Sequence, residues 1–349
     1  MKNWQSSLVP VTSTIKEAIS IIDSSSCMIA VIVGQERKLL GIITDGDIRR
    51  AIMKGVSFSE PVTKIMNSSP LIISSKSTSK ETFQIFQNTH IRHLPVVDDD
   101  GKILGIQVVD ELHKTVKNDT IVVIMAGGLG SRLGNLTKDC PKPLLNIGNQ
   151  PILETILDNF ISDGFYRFYF SVNYKAEMIE SFFGNGEKWG VDIRYIREKE
   201  RLGTGGALSL MPETPENPVI VMNGDILTRV NFQRLLDFHN EYQSAATMCV
   251  REYDFQVPYG VVNIKDHQIT KIDEKPVHTF FVNAGIYILS PESLRLIPQH
   301  SYFDLPDLFK ELSKNKQKTV AFPIREYWID VGHVDDFNRA NGDYKHNFK

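Results

Sequence analysis

The sequence predicts an α/β protein built from two different parts. The N-terminal third contains two copies of a β-α-β-β-α pattern, and the rest alternates strand-like with helix-like stretches, which is typical of a domain with a mixed, mostly parallel sheet. Two observations carry this prediction: an ungapped self-match within the first third of the chain, and a change of sequence texture near residue 117. We expect repeats at residues 1–60 and 61–117 and a second domain at 120–349.

Residues of the first repeat recur in the second at a constant offset of 64 positions, and so many identities in register rarely arise by chance. The matched residues are Ser13, Thr14, Lys16, Glu17, Ile21, Val33, Lys38, Leu40, Gly41 and Ile42, which align with Ser77, Thr78, Lys80, Glu81, Ile85, Val97, Lys102, Leu104, Gly105 and Ile106.

Each repeat has the same order of local patterns. A Ser/Thr-rich start that could cap a helix precedes apolar residues at helical spacing, such as Ile15, Ala18 and Ile22. A β-rich run, a polar turn and a second strand (LLGIIT or ILGIQV) follow. The segments DGDI and DELH then begin an acidic helix.

The polar segment 113–120 serves as the linker, and the pattern changes after it. Apolar runs predict strands, and amphipathic periodicity predicts helices. The predicted strands are Ile121–Met125, Phe168–Val172, Ile193–Arg197, Pro218–Met222, Ala245–Val250 and Val282–Leu289, and the helices are Pro151–Ser162 and Asn231–Tyr242.

Composition excludes several classes of protein. Of 349 residues, 42% are apolar and 23% charged, as in ordinary folded proteins, and a net charge of −3 gives no electrostatic footprint for nucleic acid. Three widely spaced cysteines argue against a disulfide framework and for a reducing compartment. The start lacks a leader pattern, and no apolar run is long enough to span a membrane. We therefore expect a soluble, cytoplasmic protein.

The first strand of the second domain runs into a glycine-rich loop, GGLGSRLGNLTKDCPKPLL. Gly127, Gly128 and Gly130 can let backbone N–H groups approach a phosphate closely. The dinucleotide pattern G-x-G-x-x-G fails because Leu133 occupies its third glycine position, and no frame gives a Walker A loop. The glycines alone are therefore weak evidence for phosphate binding.

Two cations follow these glycines. Arg132 lies just past them, and Lys142 stands between two prolines that stiffen the backbone around it. Most Arg and Lys side chains are solvated charges on the protein surface. That interpretation does not readily explain why Lys142 stands between two prolines. The pair would supply the positive charge that triphosphate chemistry needs.

Asp225 follows the apolar strand VIVMNG, and Asp330 follows the run EYWI. Ligands of open α/β sheets bind beyond the carboxyl ends of strands, where two carboxylates could share Mg²⁺. Taken alone, each Asp is more often a turn or N-cap residue.

The first part of the chain resembles a tandem pair of CBS domains, above all in GIITDGDIRRAI and its echo GIQVVDEL. The resemblance implies a disc-like module that can bind an adenine or guanine nucleotide and regulate an attached enzyme. It places Thr44 and Asp47 against a ribose, whereas the second copy has Val108 and Glu111 and lacks the hydroxyl. The alternative is a pair that only packs and dimerises. Because paired CBS modules often form dimers, we expect a homo-oligomer.

The second part resembles the sugar-1-phosphate nucleotidyltransferases, whose loop G-G-x-G-x-R-L-x-P-L-T…P-K-P-L it matches except at Asn135. Further motifs follow in order through residue 332: LGTGGAL, VMNGD, YGVV, DEKP, VNAGIYIL and WIDVG. The resemblance implies a Rossmann-like nucleotidyltransferase domain. It also implies transfer of a nucleoside monophosphate from an NTP to a sugar 1-phosphate, with release of pyrophosphate.

The same resemblance assigns roles residue by residue. Arg132 and Lys142 would be catalytic, and Asp225 and Asp330 would hold Mg²⁺. The glycines of the loop would bind the nucleotide together with Gly203, Thr204 and Gly205, while Gly260, Glu274, Lys275 and Asn283 would bind the sugar phosphate.

The compact loop looks more like that of mannose- and heptose-type guanylyltransferases than that of thymidylyl or uridylyl enzymes. A CBS pair fused ahead of this domain resembles enzymes of nonulosonic (legionaminic) acid pathways, which implies GTP and glucosamine 1-phosphate. Mannose 1-phosphate, heptose 1-phosphate, UTP, dTTP and CTP stay open as alternatives. A catalytically inactive nucleotide sensor is the alternative from another class.

Overall fold

The computed structural model describes residues 4–25, 27–78, 82, 85–86, 89, 91–108 and 118–348. It consists of two compact units, Met1–Val116 and Lys117–Lys349. Several residues for which the sequence made predictions lie outside the described residues: Lys80, Glu81, the helix start DELH (110–113) with Glu111, and residues 113–117 of the predicted linker.

The first unit contains two three-stranded sheets with the orders β1-β2-β3 and β4-β5-β6. In each sheet the first two strands pair parallel and the last two pair antiparallel, with a register shift at Ile32/Val33 and at Val96/Val97. These shifts are 64 positions apart, so the repeat seen in the sequence is also a repeat of backbone structure. The elements are β1 Leu8–Pro10, α1 Ile15–Ser24, β2 Ala30–Val33, β3 Leu39–Ile43, α2 Asp45–Met53, β4 Ile73–Ser74, β5 His93–Val97 and β6 Ile103–Val108.

Helix α1 forms as its sequence predicts. Thr14 is the N-cap: the Glu17 N–H donates to Thr14 Oγ1 at 3.3 Å, and the Thr14 N–H donates to Glu17 Oε2 at 2.7 Å. This reciprocal capping box satisfies two backbone donors that the helix itself leaves unpaired. Ile15, Ala18 and Ile22 are buried on one face, as their helical spacing indicates.

The second unit is built on a seven-stranded sheet with the order β11-β10-β7-β12-β17-β14-β18. Strand β17 pairs antiparallel with both of its neighbours, and the other four pairings are parallel. The strands are β7 Asn118–Met125, β8 Asn146–Ile147, β9 Gln150–Pro151, β10 Phe165–Val172, β11 Asp192–Arg197, β12 Val219–Asn223, β13 Ile226–Thr228, β14 Ala246–Gln256, β15 Val261–Lys265, β16 Gln268–Asp273, β17 Val277–Leu289, β18 Thr319–Ile324 and β19 Trp328–Asp330.

Helices cover both faces of this sheet. They are α3 Ile152–Ser162, α4 Ala176–Phe183, α5 Gly203–Gly206, α6 Phe232–Tyr242, α7 Pro291–Leu294, α8 Leu305–Lys314 and α9 Val334–Asn347. Val122 and Ile124 of β7 belong to a core that includes α3 and α6, whereas Ile121 and Val123 belong to a core that includes α8. Strand β7 is therefore an unbroken apolar run because it is buried on both sides.

Two strands continue beyond the sheet. The distal parts of β14 and β17 pair with each other from Arg251↔Val282 to Gln256↔Val277, and the β15–β16 hairpin lies between them in sequence. We call residues 251–283 the arm.

No disulfide joins Cys27, Cys140 or Cys249. A search of the described residues finds no helix that is both long and apolar enough to span a membrane.

Candidate active site

The carboxyl ends of β10, β7 and β12 meet at one edge of the main sheet. Met125 pairs with Ser171 on one side and with Asn223 on the other. The Ala126 N–H donates to the Ser171 carbonyl at 2.8 Å, and the Gly224 N–H donates to the Met125 carbonyl at 3.0 Å. The glycine-rich loop and Asp225 therefore leave the sheet side by side, where an open α/β sheet binds its ligands.

The three loop glycines meet different constraints. A Cβ at Gly127 would lie 3.2 Å from Glu198 Oε1 and 3.2 Å from Asn173 Cβ. Gly130 has a φ of +66°, and a Cβ there would lie 2.7 Å from Thr137 Cγ2. Gly128 has no neighbour within 4 Å of an added Cβ. The loop is thus fixed at both ends and open at Gly128, which suits the approach of a ligand to its backbone.

Lys142 is the buried cation of this region. Its Nζ donates to Asp225 Oδ2 at 2.6 Å, and the residue is 6% exposed. Pro141 precedes the short 3₁₀ turn Lys142–Leu144, so the backbone at Lys142 is stiff. A Cβ at Gly130 would lie 3.1 Å from Lys142 Cβ, which shows that the lysine packs directly against the glycine loop.

Asp225 and Asp330 are held together by a short two-stranded ladder. Strands β13 and β19 pair antiparallel with Ile226 opposite Asp330, and the Val331 N–H donates to the Asp225 carbonyl at 2.9 Å. Burial, and next the charge of Asp225, raise the pKa of the Asp330 carboxyl, while the nearby Lys142 and Arg132 act in the opposite direction. The two carboxylates are therefore electrostatic neighbours with two cations close by.

Arg132 belongs to the glycine-rich loop and lies close to this group, and it is exposed to solvent. A Cβ built at Gly332 would lie 3.5 Å from Arg132 Nη1 and 3.5 Å from Asp330 Oδ1. The Arg132 guanidinium and the Asp330 carboxylate therefore both lie next to the backbone at Gly332. Together with Lys142 and Asp225, these side chains form a compact group that we call the charged quartet: Arg132, Lys142, Asp225 and Asp330.

The quartet fits a divalent cation. Asp330 Oδ1 is buried and has no hydrogen-bond partner, an arrangement that a positive ion would relieve. Within the described part of the chain, no group of three or more His, Cys, Asp or Glu side chains could hold a metal ion by itself. Mg²⁺ commonly uses one or two carboxylates and completes its shell with phosphate and water oxygens, so Asp225 and Asp330 are a sufficient protein contribution.

The predicted nucleotide-binding segment at Gly203, Thr204 and Gly205 is tied to the start of α8. The Thr204 N–H donates to Asp304 Oδ1 at 3.0 Å, and the Leu305 N–H donates to Thr204 Oγ1 at 3.0 Å. The Gly205 N–H donates to the Phe303 carbonyl at 2.8 Å, and a Cβ at Gly203 would lie 2.7 Å from Asp304 Oδ1. These hydrogen bonds hold the loop in place. Glycine is required because residues 303 and 304 approach the loop too closely for a side chain.

The carboxylate of Asp304 anchors this loop. Burial alone raises the pKa of Asp304, but hydrogen bonds from the Thr204 amide, the Tyr302 hydroxyl and the Thr204 hydroxyl outweigh it and hold the pKa below its usual value. Asp304 therefore stays ionised at neutral pH and keeps the loop in place.

Glu198 connects the two predicted nucleotide loops, although it was not among the site residues predicted from the sequence. Ser171 Oγ donates to Glu198 Oε1 at 2.6 Å, and the Leu202 N–H donates to Glu198 Oε2 at 3.2 Å. The same Oε1 is the atom that an added Cβ at Gly127 would approach. Glu198 directly follows β11 at the ligand-binding edge, which is the one sequence signal that could have identified it.

The predicted sugar-phosphate residues lie on the arm or at its base. A Cβ at Gly260 would lie 3.0 Å from Glu274 Oε2, so these two residues are neighbours, and Glu274 and Lys275 are exposed. At the base of the arm, Asn283 Nδ2 donates to the Tyr287 hydroxyl at 2.6 Å and Asn283 Oδ1 accepts from the Gly285 N–H at 3.0 Å. Gly260 thus precedes β15, and Glu274 and Lys275 follow β16, so these three residues lie at the open end of the hairpin, whereas Asn283 lies on β17.

The predicted nucleotide contacts of the first repeat form a helix cap. Asp47 Oδ2 accepts from the Thr44 N–H at 2.8 Å and from Thr44 Oγ1 at 2.7 Å, and Asp47 Oδ1 accepts from Arg50 Nη2 at 2.7 Å. Both carboxylate oxygens thus have partners within the chain. Val108 of the second repeat is buried at the end of β6, and Glu111 lies outside the described residues.

Comparison with protein families gives two matches. Residues 121–347 match the nucleotidyl transferase family, and residues 8–54 and 62–106 match the CBS domain. The two CBS segments correspond to the two copies of the repeat.

Three known proteins illustrate the likeness of the second unit. The chain is 31% identical over 226 residues to a D-glycero-alpha-D-manno-heptose 1-phosphate guanylyltransferase of Aneurinibacillus thermoaerophilus, which covers 64% of this chain and 98% of that protein. It is 34% identical to a mannose-1-phosphate guanyltransferase of Yarrowia lipolytica, covering 62% of this chain but only 61% of that protein's length. The crystal structure of HddC from Yersinia pseudotuberculosis matches with 29% identity and a TM-score of 0.50, over 64% of this chain and 99% of that one. HddC has also been solved in complex with GMP-PN.

Proposed function

The chain belongs to the nucleotidyl transferase family, with two CBS domains ahead of the catalytic region, and from this membership we propose that it transfers a guanylyl group from GTP to a sugar 1-phosphate. The products are a GDP-sugar and pyrophosphate. The observation that carries the proposal is the charged quartet beside a glycine loop with an open centre at Gly128. Guanylyl transfer is supported by the names of the relatives, which are heptose and mannose 1-phosphate guanylyltransferases.

The reaction needs no general base. The sugar phosphate is a monoester with a second pKa of about 6, so it is mostly a dianion at pH 7 and can attack the α-phosphorus directly. The obstacle is the repulsion between two polyanions and the need to align them. Catalysis is therefore mainly positioning and charge neutralisation.

The quartet supplies that neutralisation. Lys142 is buried, rigid and adjacent to the loop, so it stabilises the crowded α-phosphate. Arg132 is exposed near Asp330, where it braces the triphosphate and the departing pyrophosphate. Asp225 and Asp330 hold Mg²⁺, which supplies Lewis-acid polarisation of phosphate oxygens when it is bound.

The remaining residues position the two substrates. The backbone of the loop at Gly128 faces the phosphates, and the rigid turn at Gly203, Thr204 and Gly205 faces the base. Lys275 and Glu274 on the arm, with Gly260 and Asn283, hold the sugar phosphate and orient its attacking oxygen.

Three sugar phosphates are candidate substrates. Glucosamine 1-phosphate is implied by the fusion of a CBS pair to this kind of domain. Mannose 1-phosphate or heptose 1-phosphate is supported equally by the relatives, of which the heptose enzyme aligns over 98% of its length.

Pyrophosphate release from a panel of nucleotides and sugars tests the whole proposal. GTP, UTP, dTTP, CTP and ATP are each combined with glucosamine, mannose and heptose 1-phosphates in the presence of Mg²⁺. We expect GTP to exceed every other nucleotide by at least tenfold in kcat/KM with one sugar. Preference for UTP or dTTP would refute the assignment of the base, and no release from any pair would favour an inactive nucleotide sensor.

We also propose that the CBS pair binds a nucleotide and regulates the transferase. Support comes from the hydroxyl and carboxylate of Thr44 and Asp47, which lie at the N-terminus of α2 where a phosphate is favoured. Titration calorimetry of the full chain with AMP, ATP and GMP, compared with an Asp47→Ala variant, isolates this site. If the heat of binding is the same in wild type and in Asp47→Ala for every nucleotide, the proposed nucleotide site is refuted and the CBS pair has only an assembly role.

A further inference from the structure

Residues 131–140 connect the two cations of the charged quartet, and we call them the bridging segment. Arg132 lies near the start of the segment, and Lys142 lies just beyond its end. The segment begins with a 3₁₀ turn, Ser131–Thr137, which is broken at Gly134, where φ is +55°. Because a broken 3₁₀ turn has poor internal hydrogen bonding, contacts from outside have to fix its shape.

Two side chains supply those contacts. In the described part of the chain, the hydrogen bonds that join the bridging segment to residues outside 130–145 come from Tyr174 and Lys175. Lys175 Nζ donates to the Lys138 carbonyl at 2.5 Å, and the Tyr174 hydroxyl donates to the Thr137 carbonyl at 3.5 Å. Lys175 therefore makes the shorter of the two contacts, and its ammonium makes it the charged one.

The two acceptor carbonyls lie between the two cations of the quartet. Thr137 and Lys138 stand in the middle of the stretch that runs from Arg132 to Lys142. Thr137 is 4% exposed, and its Oγ1 donates to the Gly130 carbonyl at 3.0 Å. A contact at this point is thus passed to the glycine loop on one side and to the Lys142 turn on the other.

The turn that carries the two donors is itself fixed to the main sheet. It follows β10, and Asn173 Nδ2 donates to the Glu198 carbonyl at 2.7 Å. The Glu198 N–H donates to the Val172 carbonyl at 3.0 Å, which continues the pairing of β10 with β11. Lys175 therefore extends from a rigid base.

Lys175 is poorly suited to its own backbone position. It is the N-cap of α4 with φ +52° and ψ +40°, and its side chain makes no cap hydrogen bond. The left-handed conformation is costly for a residue with a Cβ, and an ammonium can neither cap the first N–H groups nor favour the positive end of a helix. The Lys138 carbonyl, by contrast, follows the end of the 3₁₀ turn, where a cation is favourable. The local structure favours glycine or asparagine at 175, and the contact with the bridging segment favours lysine.

From these observations we infer that Lys175 is a positioning residue, which holds Arg132 and Lys142 in the geometry that guanylyl transfer needs. The inference rests on the proposed function. Lys175 acts through the backbone of Lys138 and does not have to contact either substrate. A shift of about 1 Å in a reacting group can cost about 100-fold in rate, so a single contact on an irregular segment can control turnover.

Pyrophosphate release and thermal unfolding of full-length variants test the inference. Lys175→Met keeps the length of the side chain without a donor, and kcat should fall by about 10- to 100-fold. Lys175→Arg keeps a cationic donor and should stay within about threefold of wild type. Lys175→Gly removes the donor together with the cost of the left-handed backbone, so its kcat should fall as in Lys175→Met while its Tm does not fall. A residue with a merely structural role would not separate turnover from stability in this way.

Hydrogen exchange gives a readout that does not depend on activity. The Leu133 and Lys138 amides, which bond within the bridging segment and its flanking glycine, should exchange about tenfold faster in Lys175→Met than in wild type. The amides of β7 should be unaffected and report an intact sheet. Lys188→Met is the matched control, since Lys188 is an exposed lysine beyond the other end of α4 and should keep wild-type exchange and turnover.

Turnover of Lys175→Met or Lys175→Gly within threefold of wild type overturns the inference. An arginine variant as slow as the methionine variant also overturns it, because the donor would then not be what matters. If wild type releases no pyrophosphate with any substrate pair, the proposed function fails. In that case unchanged exchange of the Leu133 and Lys138 amides in Lys175→Met would refute the positioning of the segment as well.

Discussion

Lys142 Nζ lies 2.6 Å from Asp225 Oδ2, so the buried cation is paired with one of the two candidate metal ligands. The lysine is 6% exposed, and the side chain of Asp225 is 26% exposed. A buried charge without a partner is costly, so the contact with Asp225 offsets part of the cost of burying Lys142. In the proposed reaction Lys142 would bind phosphate oxygens and Asp225 would help to hold Mg²⁺, so both side chains would exchange this contact for new ones.

Replacement of Lys142 by Ala is expected to lower kcat by 100- to 1,000-fold, the effect of losing one electrostatic stabiliser of about 2.7–4 kcal/mol. Lys138→Ala is the matched control, since Lys138 is an exposed lysine in the same loop. Steady-state kinetics measures both variants, and circular dichroism checks that each is folded. Turnover of Lys142→Ala within threefold of wild type would remove this residue from catalysis.

Removal of divalent metal is expected to abolish turnover, and Mg²⁺ is expected to restore it. In Asp330→Asn the Mg²⁺ concentration for half-maximal rate should rise at least tenfold, because one of two carboxylate ligands has lost its charge. Asp335→Asn, an exposed change in the first turn of α9, should leave that concentration unchanged. Full activity in EDTA-treated buffer would contradict the metal assignment.

Replacement of Gly130 by Ala should lower stability, whereas replacement of Gly128 by Ala should weaken nucleotide binding. Gly130→Ala places a Cβ at a φ of +66° and 2.7 Å from Thr137 Cγ2, so it should lower the Tm by several degrees. Gly128→Ala meets nothing within 4 Å and should leave the Tm unchanged. Its methyl group faces the space proposed for the phosphates, so KM for the nucleotide should rise several-fold. A normal KM in folded Gly128→Ala would place the phosphates elsewhere.

Acid should destabilise the second unit through a buried histidine. Burial lowers the pKa of His239 from 6.5 to about 4, and its Nδ1 lies 2.9 Å from Thr247 Oγ1. The unfolded chain therefore binds a proton between about pH 6.5 and 4 that the folded chain does not, so the free energy of unfolding falls as the pH falls through this window.

The expected loss between pH 7 and 5 is about 2 kcal/mol, from the 1.36 kcal/mol that each pKa unit represents. Urea unfolding at both pH values measures it. His239→Asn should remove most of the difference, whereas His278→Asn on the exposed arm should keep it. An equal pH response in wild type and His239→Asn would rule out this residue as the cause.

Much of the fold follows from local pattern. The strands at Phe165–Val172 and Asp192–Arg197 are apolar or alternating runs, and the structure extends the predictions by no more than three residues. The order of motifs also predicted that Asp225 follows a strand at the ligand-binding edge. These predictions are correct because burial of a strand or helix imposes a regular spacing of apolar residues on the sequence.

The missed features depend on contacts between distant segments. Nothing local marks Asp304 as the anchor of Thr204, because the two residues are 100 positions apart and meet only in the folded chain. Strands β14 and β17 were predicted as Ala245–Val250 and Val282–Leu289, so nearly all of the arm was missed, because the arm has no buried face and hence no clear period. Glu198 was missed because a single acidic residue after a strand is not distinctive by itself.

The cap at the start of α2 leaves the Asp47 carboxylate with little spare capacity. It accepts two hydrogen bonds from Thr44 and one from Arg50, out of about four acceptor sites on a carboxylate. A ribose that donates both of its hydroxyls to Asp47 would therefore have to displace one of these bonds. Losing an N-cap costs a helix about 0.5–2 kcal/mol, so a bound nucleotide that displaced Thr44 would loosen the first turn of α2. In the proposed regulation, the side chains that bind the nucleotide would thus be the ones that hold the start of the helix.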